Sequence, residues 1–389
     1  MANEKMMRYP DFTMASGPCS VSQTVLAAMS LPVVYHYDPV FMDLFQDTCE
    51  KLKKVLYTKN DVIIMQGDAV LALESAAYSM IAPGDTVLNL VSGYYGKGYG
   101  DHITAFGGNL LELEVPYNES VRIEQVEKVI TEHPEIKILS MVHSETPSCT
   151  VNPVKEICQL AHKHGILTIV DSVSGVGSTE VLVDKYGIDI CIVGSQKCIG
   201  AVPGLSIVSV SDAAWKKMEK RNPRRWSVLC MLDWKEMWVA DKRFPSTISV
   251  SLIYALHQAV DEILEETMEK AWERHELCAK MCRAGLKGMG LTLWAVSEEI
   301  CATCATSFCL PEKINQLEYR YHLRNKYGFM ISAGLNEQAS KLLRIGHMGN
   351  VAKPMIIPAV LTAVGNAFCD MGHEVDVDAG IVAACSIRR

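Results

Sequence analysis

The sequence contains no run of the roughly 18 to 20 consecutive apolar residues that a membrane-spanning helix requires, and no block of Lys or Arg. Charged residues make up only 21% of its 389 positions, and Phe, Trp and Tyr together 7%. With 37 Lys+Arg against 45 Asp+Glu the formal charge is -8. Such a chain lacks the continuous positive surface by which proteins hold nucleic acid or an anionic membrane. Any anion it binds must be met by a few local groups. Few charges beside 49% apolar residues also exclude a largely disordered chain. No internal repeat or low-complexity segment is present. The opening MANEKMMRYP is polar and is not a secretory signal, so the expected address is the cytoplasm.

Cysteine, by contrast, is abundant. Fourteen are scattered through the chain, Cys19, Cys49, Cys149, Cys158, Cys191 and Cys198 among them, and Cys301 and Cys304 form the one CxxC. Disulfide frameworks and zinc sites need recurrent spacings, and no second pair follows. Reduced structural thiols are expected, with a redox or zinc role as the other reading.

The length suggests roughly two domains. SVSQTVLAAMS (20–30) reads as a short capped helix, and Phe41, Leu44, Phe45, Leu52, Val55 and Leu56 recur at helical spacing. From residue 62 the pattern alternates. Strand-like runs VIIMQ (62–66), TVLNLV (86–91), NLLELEV (109–115), IKILSMVHS (136–144), ILTIVDS (166–172), IDICIVGS (188–195) and LSIVSVS (205–211) are interleaved with helical segments such as 69–81, 123–133 and 153–165. Continuous apolar strands alternating with helices predict an α/β fold, a mostly parallel sheet covered on both faces. Such sheets place ligands at the carboxyl ends of their strands. The stretch 250–288 reads as one long helical run, followed by a smaller α+β pattern: strands at 291–296, 304–310 and 329–334, a helix around 312–326 and two closing helices. The boundary falls near 260, giving a large domain over 1–260 and a small one over 261–389.

Three turns after strands carry candidate chemistry. QGDAVLALE (66–74) follows a strand and opens a helix, so the amides of Gly67, Asp68 and Ala69 are expected to face outward from a positive helix end that can hold a phosphate. A glycine there for steric reasons alone is the plainer reading. ILTIVDS ends in Asp171, which is either a helix N-cap or a partner for a protonated ring nitrogen. At an effective dielectric near 20, opposite charges about 4 Å apart gain on the order of 4 kcal/mol. That is enough to move a pKa by about three units and keep a pyridine ring protonated. Lys197 in GSQKCIGAVPG lies just past another apolar strand. There, desolvation can expose a neutral amine nucleophile, although a lone lysine after a strand is usually solvated. Lysine, acidic ring partner and phosphate cup together are the requirements of pyridoxal 5'-phosphate (PLP).

At these residues the chain resembles the class V aminotransferases of PLP fold type I. The resemblance runs from SGP (16–18) through HYDPVF (36–41), HSETPSCTVNP (143–153), DSVSGVG (171–177) and GSQKCIGAVPG (194–204) to RIGHMG (344–349). Within the class, YGKG (95–98) and VPYNE (115–119) look most like the pyridoxamine-pyruvate group, with alanine-glyoxylate and serine-pyruvate enzymes also similar. The resemblance implies that Lys197 is the Schiff-base lysine and Asp171 the pyridinium partner. It puts Tyr95 on one ring face, a buried core tyrosine being the alternative, Val173 on the other, and the hydroxyls of Thr146 and Ser148 near the ring oxygen or phosphate, unless they simply satisfy a turn. Gln196 matches a phosphate ligand, and Thr247 a threonine that reaches the neighbouring subunit's phosphate, which implies a homodimer with shared sites. Arg344 matches the arginine that grips the substrate carboxylate, a structural ion pair being the alternative. Tyr35 and His36 fall near the expected substrate entrance.

The expected function is therefore a PLP-dependent aminotransferase moving an amino group from a small amino acid or amine to pyruvate or glyoxylate. In the alternative, free pyridoxamine is a substrate rather than a cofactor. Enzymes of that type are expected to carry Glu at the position of Asp68 and Arg at that of Leu335, so this sequence departs at both. Phe244 likewise replaces a tyrosine common in alanine-glyoxylate enzymes. A lyase or cysteine desulfurase would need a cysteine ahead of Arg344, and 331–344 has none. A PLP-binding non-enzyme is the remaining class.

Overall fold

The computed structural model describes residues 9–388; the first eight residues of the polar leader and Arg389 lie outside them. A short strand β1 (Phe12–Thr13) and helices α1 (Gln23–Met29) and α2 (Pro39–Leu56) come first. Ser22 and Asp38 start the two helices by accepting the amides of Val25 and Val40, which satisfies donors that an open helix end leaves unpaired.

The alternating segment follows the predicted order: β2 (Asp61–Gln66), α3 (Ala69–Met80), β3 (Thr86–Val91), α4 (Tyr94–Ala105), β4 (Asn109–Glu114), α5 (Ile123–Glu132) and β5 (Ile136–Val142). A hairpin of β6 (Ser144–Glu145) and β7 (Thr150–Val151) precedes α6 (Val154–Lys163), β8 (Leu167–Asp171), α7 (Val183–Tyr186), β9 (Ile190–Gly194) and β10 (Leu205–Val210). Seven strands form one sheet in the order β2-β10-β9-β8-β5-β3-β4. All are parallel except β10, which runs against both neighbours. The continuously apolar β5, β8 and β9 lie at the centre, buried on both faces. The register Val142–Asp171–Ile192 puts Asp171 at the middle of the sheet's carboxyl edge.

Helices α8 (Asp212–Arg221) and α9 (Met231–Trp234) lead to α10 (Val250–Glu266) and α11 (Met268–Gly288). The run read as one helix is therefore two. Thr267 at φ +75° turns the chain between them, and its hydroxyl caps α11 at the Lys270 amide. Arg274 clamps the joint with two bonds to Glu266, 2.5 and 2.6 Å. Beyond it, β11 (Ala305–Cys309), β13 (Ser332–Ala333) and β14 (Leu342–Gly346) make an antiparallel sheet with β14 central. It is accompanied by α12 (Gln316–Tyr327), β12 (Phe329–Met330), α13 (Ile356–Asp370) and α14 (Val377–Ser386). The expected strand at 291–296 does not form. Leu293 makes a single bridge to Phe308: the Trp294 amide still donates to Ser307 O at 3.1 Å and the Cys309 amide to Thr292 O at 2.8 Å, but the Val296 amide turns to Asn118 O and the Trp294 indole to Tyr117 O, so pairing with β11 ends there.

Apolar side chains gather into two clusters. One runs from Val25 to Ala271; the other joins residues from Cys278 to Ala384 with Met14, Cys19, Cys149 and Cys198. The N-terminal strap thus belongs to the second cluster, held by Gly346 N to Met14 O at 2.7 Å and Met14 N to Met330 O at 2.8 Å. A Cβ at position 346 would overlap the Ala15 carbonyl. Gly346→Ala is expected to destabilise the protein by about 1–3 kcal/mol, as overpacking does, read as a lower urea midpoint.

Candidate active site

The carboxyl ends of β8 and β9 bring together the two groups singled out in the sequence. Lys197 follows β9 in a tight turn and is only 7% exposed. Its Nζ donates to the carbonyl of Ser16 at 2.7 Å. The strap passes so close, with Gly17 at φ +98°, that a Cβ there would overlap the lysine's own atoms. Burial lowers the Lys197 pKa and the charge of Arg344 adds to that, while Cys304, Cys198 and Asp171 oppose it. An ammonium stripped of water and bonded to a neutral carbonyl gives up its proton more easily than a solvated one.

Asp171 is buried, and its Oδ1 accepts the Val173 amide at 3.0 Å. The segment after β8 is a turn, so the N-cap alternative does not hold. Burial raises its pKa to about 6, against the Val173 amide and the Lys197 charge, which lower it. Val173, beside it, packs where a Cβ on Gly194 would touch its Cγ1.

Tyr95 sits in the first turn of α4, whose N-cap Gly93 offers no side chain. Glu145 from β6 takes that role across the sheet edge: Oε1 accepts Gly96 N at 2.7 Å and Oε2 accepts Tyr95 N at 3.2 Å. The carboxyl is fully buried, and burial pushes its pKa to about 8 although both amides pull it down. A Cβ on Gly93 would strike it at 2.6 Å. The sequence reading missed Glu145. The available signal was an acid in HSETPS, directly after a buried strand, with no Lys or Arg within five positions on either side. Tyr95 is half-buried; burial raises its hydroxyl pKa, with smaller effects from Asp171 and Arg344 that mark both as neighbours.

Arg344 stands in the central strand β14 and is 6% exposed. Nε donates to Ala333 O at 2.6 Å and Nη1 to Thr146 O at 2.8 Å. Both acceptors are neutral carbonyls, and among the described residues it makes no ion pair, so the structural ion-pair alternative fails. Burial lowers its pKa. Thr146 contributes its carbonyl to this clamp. Ser148 meets the turn alternative: its hydroxyl bonds Thr150 Oγ1 at 2.8 Å and Glu145 O at 3.3 Å. A hairpin that turns through Cys149 at φ +56° leaves an interior hydroxyl, and Ser148 satisfies it locally rather than facing a ligand.

The expected anion cup needs the same kind of correction. The Gly67 amide is bonded to Gly204 O at 2.9 Å, so the outward amides are those of Asp68 and Ala69. The Asp68 carboxylate itself caps α3 at the Val70 amide, 3.2 Å away. Gln196 is buried with its Oε1 unpartnered. Thr247 is exposed on the outer face, its carbonyl accepting Gln66 Nε2 at 2.6 Å. Tyr35, 68% exposed, stacks only with His36 and Tyr37 and is not joined to Lys197 within one chain. Phe244 lies flat on Trp238 at 4.8 Å, and its amide donates to the Tyr37 hydroxyl at 3.1 Å. All fourteen cysteines are free thiols.

A lysine and an aspartate at the strand ends of the large sheet and a buried arginine on β14 that meets only carbonyls are the charged groups of this site. The chain belongs to the class V aminotransferases: the family model for aminotransferase class-V matches residues 25–348. It is 41% identical to a pyridoxamine-pyruvate transaminase of Mesorhizobium japonicum over 98% of this chain and 99% of that one. It is 29% identical to an L-aspartate-glyoxylate aminotransferase of Paracoccus denitrificans, covering 95% and 93%. The crystal structure of pyridoxamine-pyruvate aminotransferase from Mesorhizobium loti superposes with a TM-score of 0.95 at 40% identity, over 98% of this chain and 97% of that one.

Glu145→Ala leaves the Tyr95 and Gly96 amides unpaired at a buried helix start. A loss of about 2–3 kcal/mol is expected in equilibrium unfolding, and Gln, which keeps one acceptor oxygen, should recover part of it.

Proposed function

We propose that this aminotransferase moves an amino group from a small amino acid or amine to a 2-oxo acid such as pyruvate or glyoxylate, with PLP as the carrier. The observation that supports this most is a buried, carbonyl-bonded Lys197 set between Asp171 and an Arg344 that has no counter-ion. The names of the relatives, which pair amino donors with pyruvate or glyoxylate, point the same way.

The ring end of the site fits the cofactor. Lys197 would hold it covalently, Asp171 would pair its ring nitrogen, and Tyr95 and Val173 would cover its two faces. Gln196 and the Asp68 and Ala69 amides would meet its phosphate. When bound, PLP supplies an electron sink that makes the substrate's α-carbon acidic. The protein's own part is positional and protonic. The Nζ of Lys197, neutral once desolvated, would take the α-proton of the amino donor and, in the second half-reaction, deliver a proton to the α-carbon of the 2-oxo acid that becomes the product. Arg344, with Nε and Nη1 fixed to two carbonyls, offers its remaining N–H donors to the substrate carboxylate. Ionised Asp171 keeps the ring nitrogen protonated. The hairpin and strap exclude water around the lysine. Thr247 and Tyr35, both exposed, would complete the neighbour's site in a homodimer. Among the described residues no helix is long and apolar enough to cross a membrane, and we place the enzyme in the cytoplasm.

One observation favours a second reading. Asp68 puts a carboxylate at the helix end intended for the phosphate, where it repels an anion but accepts a hydrogen bond from a hydroxymethyl group. Free pyridoxamine would then be the donor, and pyridoxal would leave.

Lys197→Ala should lower turnover at least about 100-fold, the scale of a general acid–base group, and abolish the cofactor's lysine-linked absorbance band; transamination at the wild-type rate would sink the assignment. The two readings part in one assay. Tightly bound PLP in the purified protein, with alanine formed from pyruvate and an amino-acid donor and no turnover of pyridoxamine, supports the first. Pyridoxal released from pyridoxamine and pyruvate supports the second.

A further inference from the structure

Between β3, β5, β8 and α4 lies a small cavity of about 10 Å³ that the reading above does not use. Asn89, Ser140, Tyr95, Tyr99 and Asp171 all line it. Tyr99 is 5% exposed, and its hydroxyl has no hydrogen-bond partner among the described residues. Asn89 and Ser140 are already joined: Ser140 Oγ donates to Asn89 Oδ1 at 2.9 Å, and Asn89 Nδ2 to Gly96 O at 2.8 Å. One Asn89 amide hydrogen and the Ser140 lone pairs remain. Among the described residues the Asp171 carboxylate accepts one hydrogen bond, from the Val173 amide to Oδ1, and its second oxygen is still to be satisfied. A cavity of this size holds about one water, and a buried water needs two to four polar partners. The walls supply them.

We propose that Tyr99 is a positioning residue: through one water held in this cavity, its hydroxyl donates to the Asp171 carboxylate and fixes that group's charge and orientation. A buried tyrosine hydroxyl is ordinarily bonded, and a phenylalanine would fill the same space without one. The groups that face Asp171 make the donor matter. Lys197 is the cation beside it, Glu145 opposes its charge when ionised, and Tyr95 and Cys191 lie near without carrying charge at neutral pH. Loss of a donor to the ionised form raises an acid's pKa, so removing the Tyr99 hydroxyl should move Asp171's half-ionisation to higher pH.

The proposal rests on the reading of Asp171 as the ring partner only where it touches catalysis, and two arms of the test avoid it. A high-resolution crystal structure of the unaltered, cofactor-free protein should show a water within hydrogen-bond distance of Tyr99 Oη and Asp171; a dry cavity overturns the proposal. In cofactor-free Tyr99→Phe, the Asp171 carboxyl-carbon titration followed by NMR should move up by about one pH unit, with Tm unchanged or lower. A raised Tm with an unmoved titration would mean an unbonded hydroxyl, and would overturn it. In the holoenzyme kcat should fall about tenfold, the equivalent of one pKa unit, with KM for the 2-oxo acid within about twofold. A moved titration with unaltered kcat supports the network and counts against Asp171 as the ring partner.

Discussion

The site depends on keeping a lysine ammonium out of water without giving it a carboxylate. Lys197 Nζ meets the Ser16 carbonyl at 2.7 Å, and its nearest charged neighbours, Arg344 and Asp171, act in opposite directions. A direct ion pair would hold the proton; a neutral acceptor in a buried place loosens it. That requirement explains the strap from Met14 to Gly17, which is bonded to β14 and β12 and brings the carbonyl to the lysine. It also accounts for Gly17 and Gly346, each in a place where a Cβ would collide, with the lysine or with the strap.

The hairpin after β5 ties the remaining parts together. One residue of it, Glu145, caps α4 and so sets Tyr95; the next, Thr146, holds Arg344 by its carbonyl. Ser307 donates to the carbonyl of Ser148, binding the hairpin to β11. Tyr95 and Arg344 are thus fixed to one short loop. A shift of that loop would displace both together, and separate tuning of cofactor and substrate contacts has little room.

Most of the sheet was legible because buried parallel strands are continuous apolar runs, and β2, β3, β5, β8, β9 and β10 read as such. Helix α4 was less visible: YYGKGYG carries three glycines among three tyrosines and no cap of its own, since its cap comes from Glu145. The break at Thr267 was hidden because helical periodicity continues on both sides. The strand expected at 291–296 is cut to a single bridge because, past Trp294, the Val296 amide finds its partner at Asn118, far earlier in the chain. Type and place in the sequence singled out Lys197, Asp171 and Arg344, all of which are buried, whereas they did not reveal that the Ser148 hydroxyl and the Gly67 amide are bonded within the fold. Whether a hydroxyl or an amide is free depends on what else the fold puts next to it.

By itself the sequence determined which side chains stand at strand ends, because an apolar run followed by a turn specifies that place locally. It also carried the family's motifs and the departures at Asp68, Leu335 and Phe244. Only the tertiary structure decided which charges are left without partners. Among the described residues Arg344 has two carbonyls and no acid, Lys197 a carbonyl from 181 residues earlier, and Glu145 two amides from α4. Burial and pairing are properties of neighbours brought from distant parts of the chain, and they set the protonation of these groups and so the chemistry open to them.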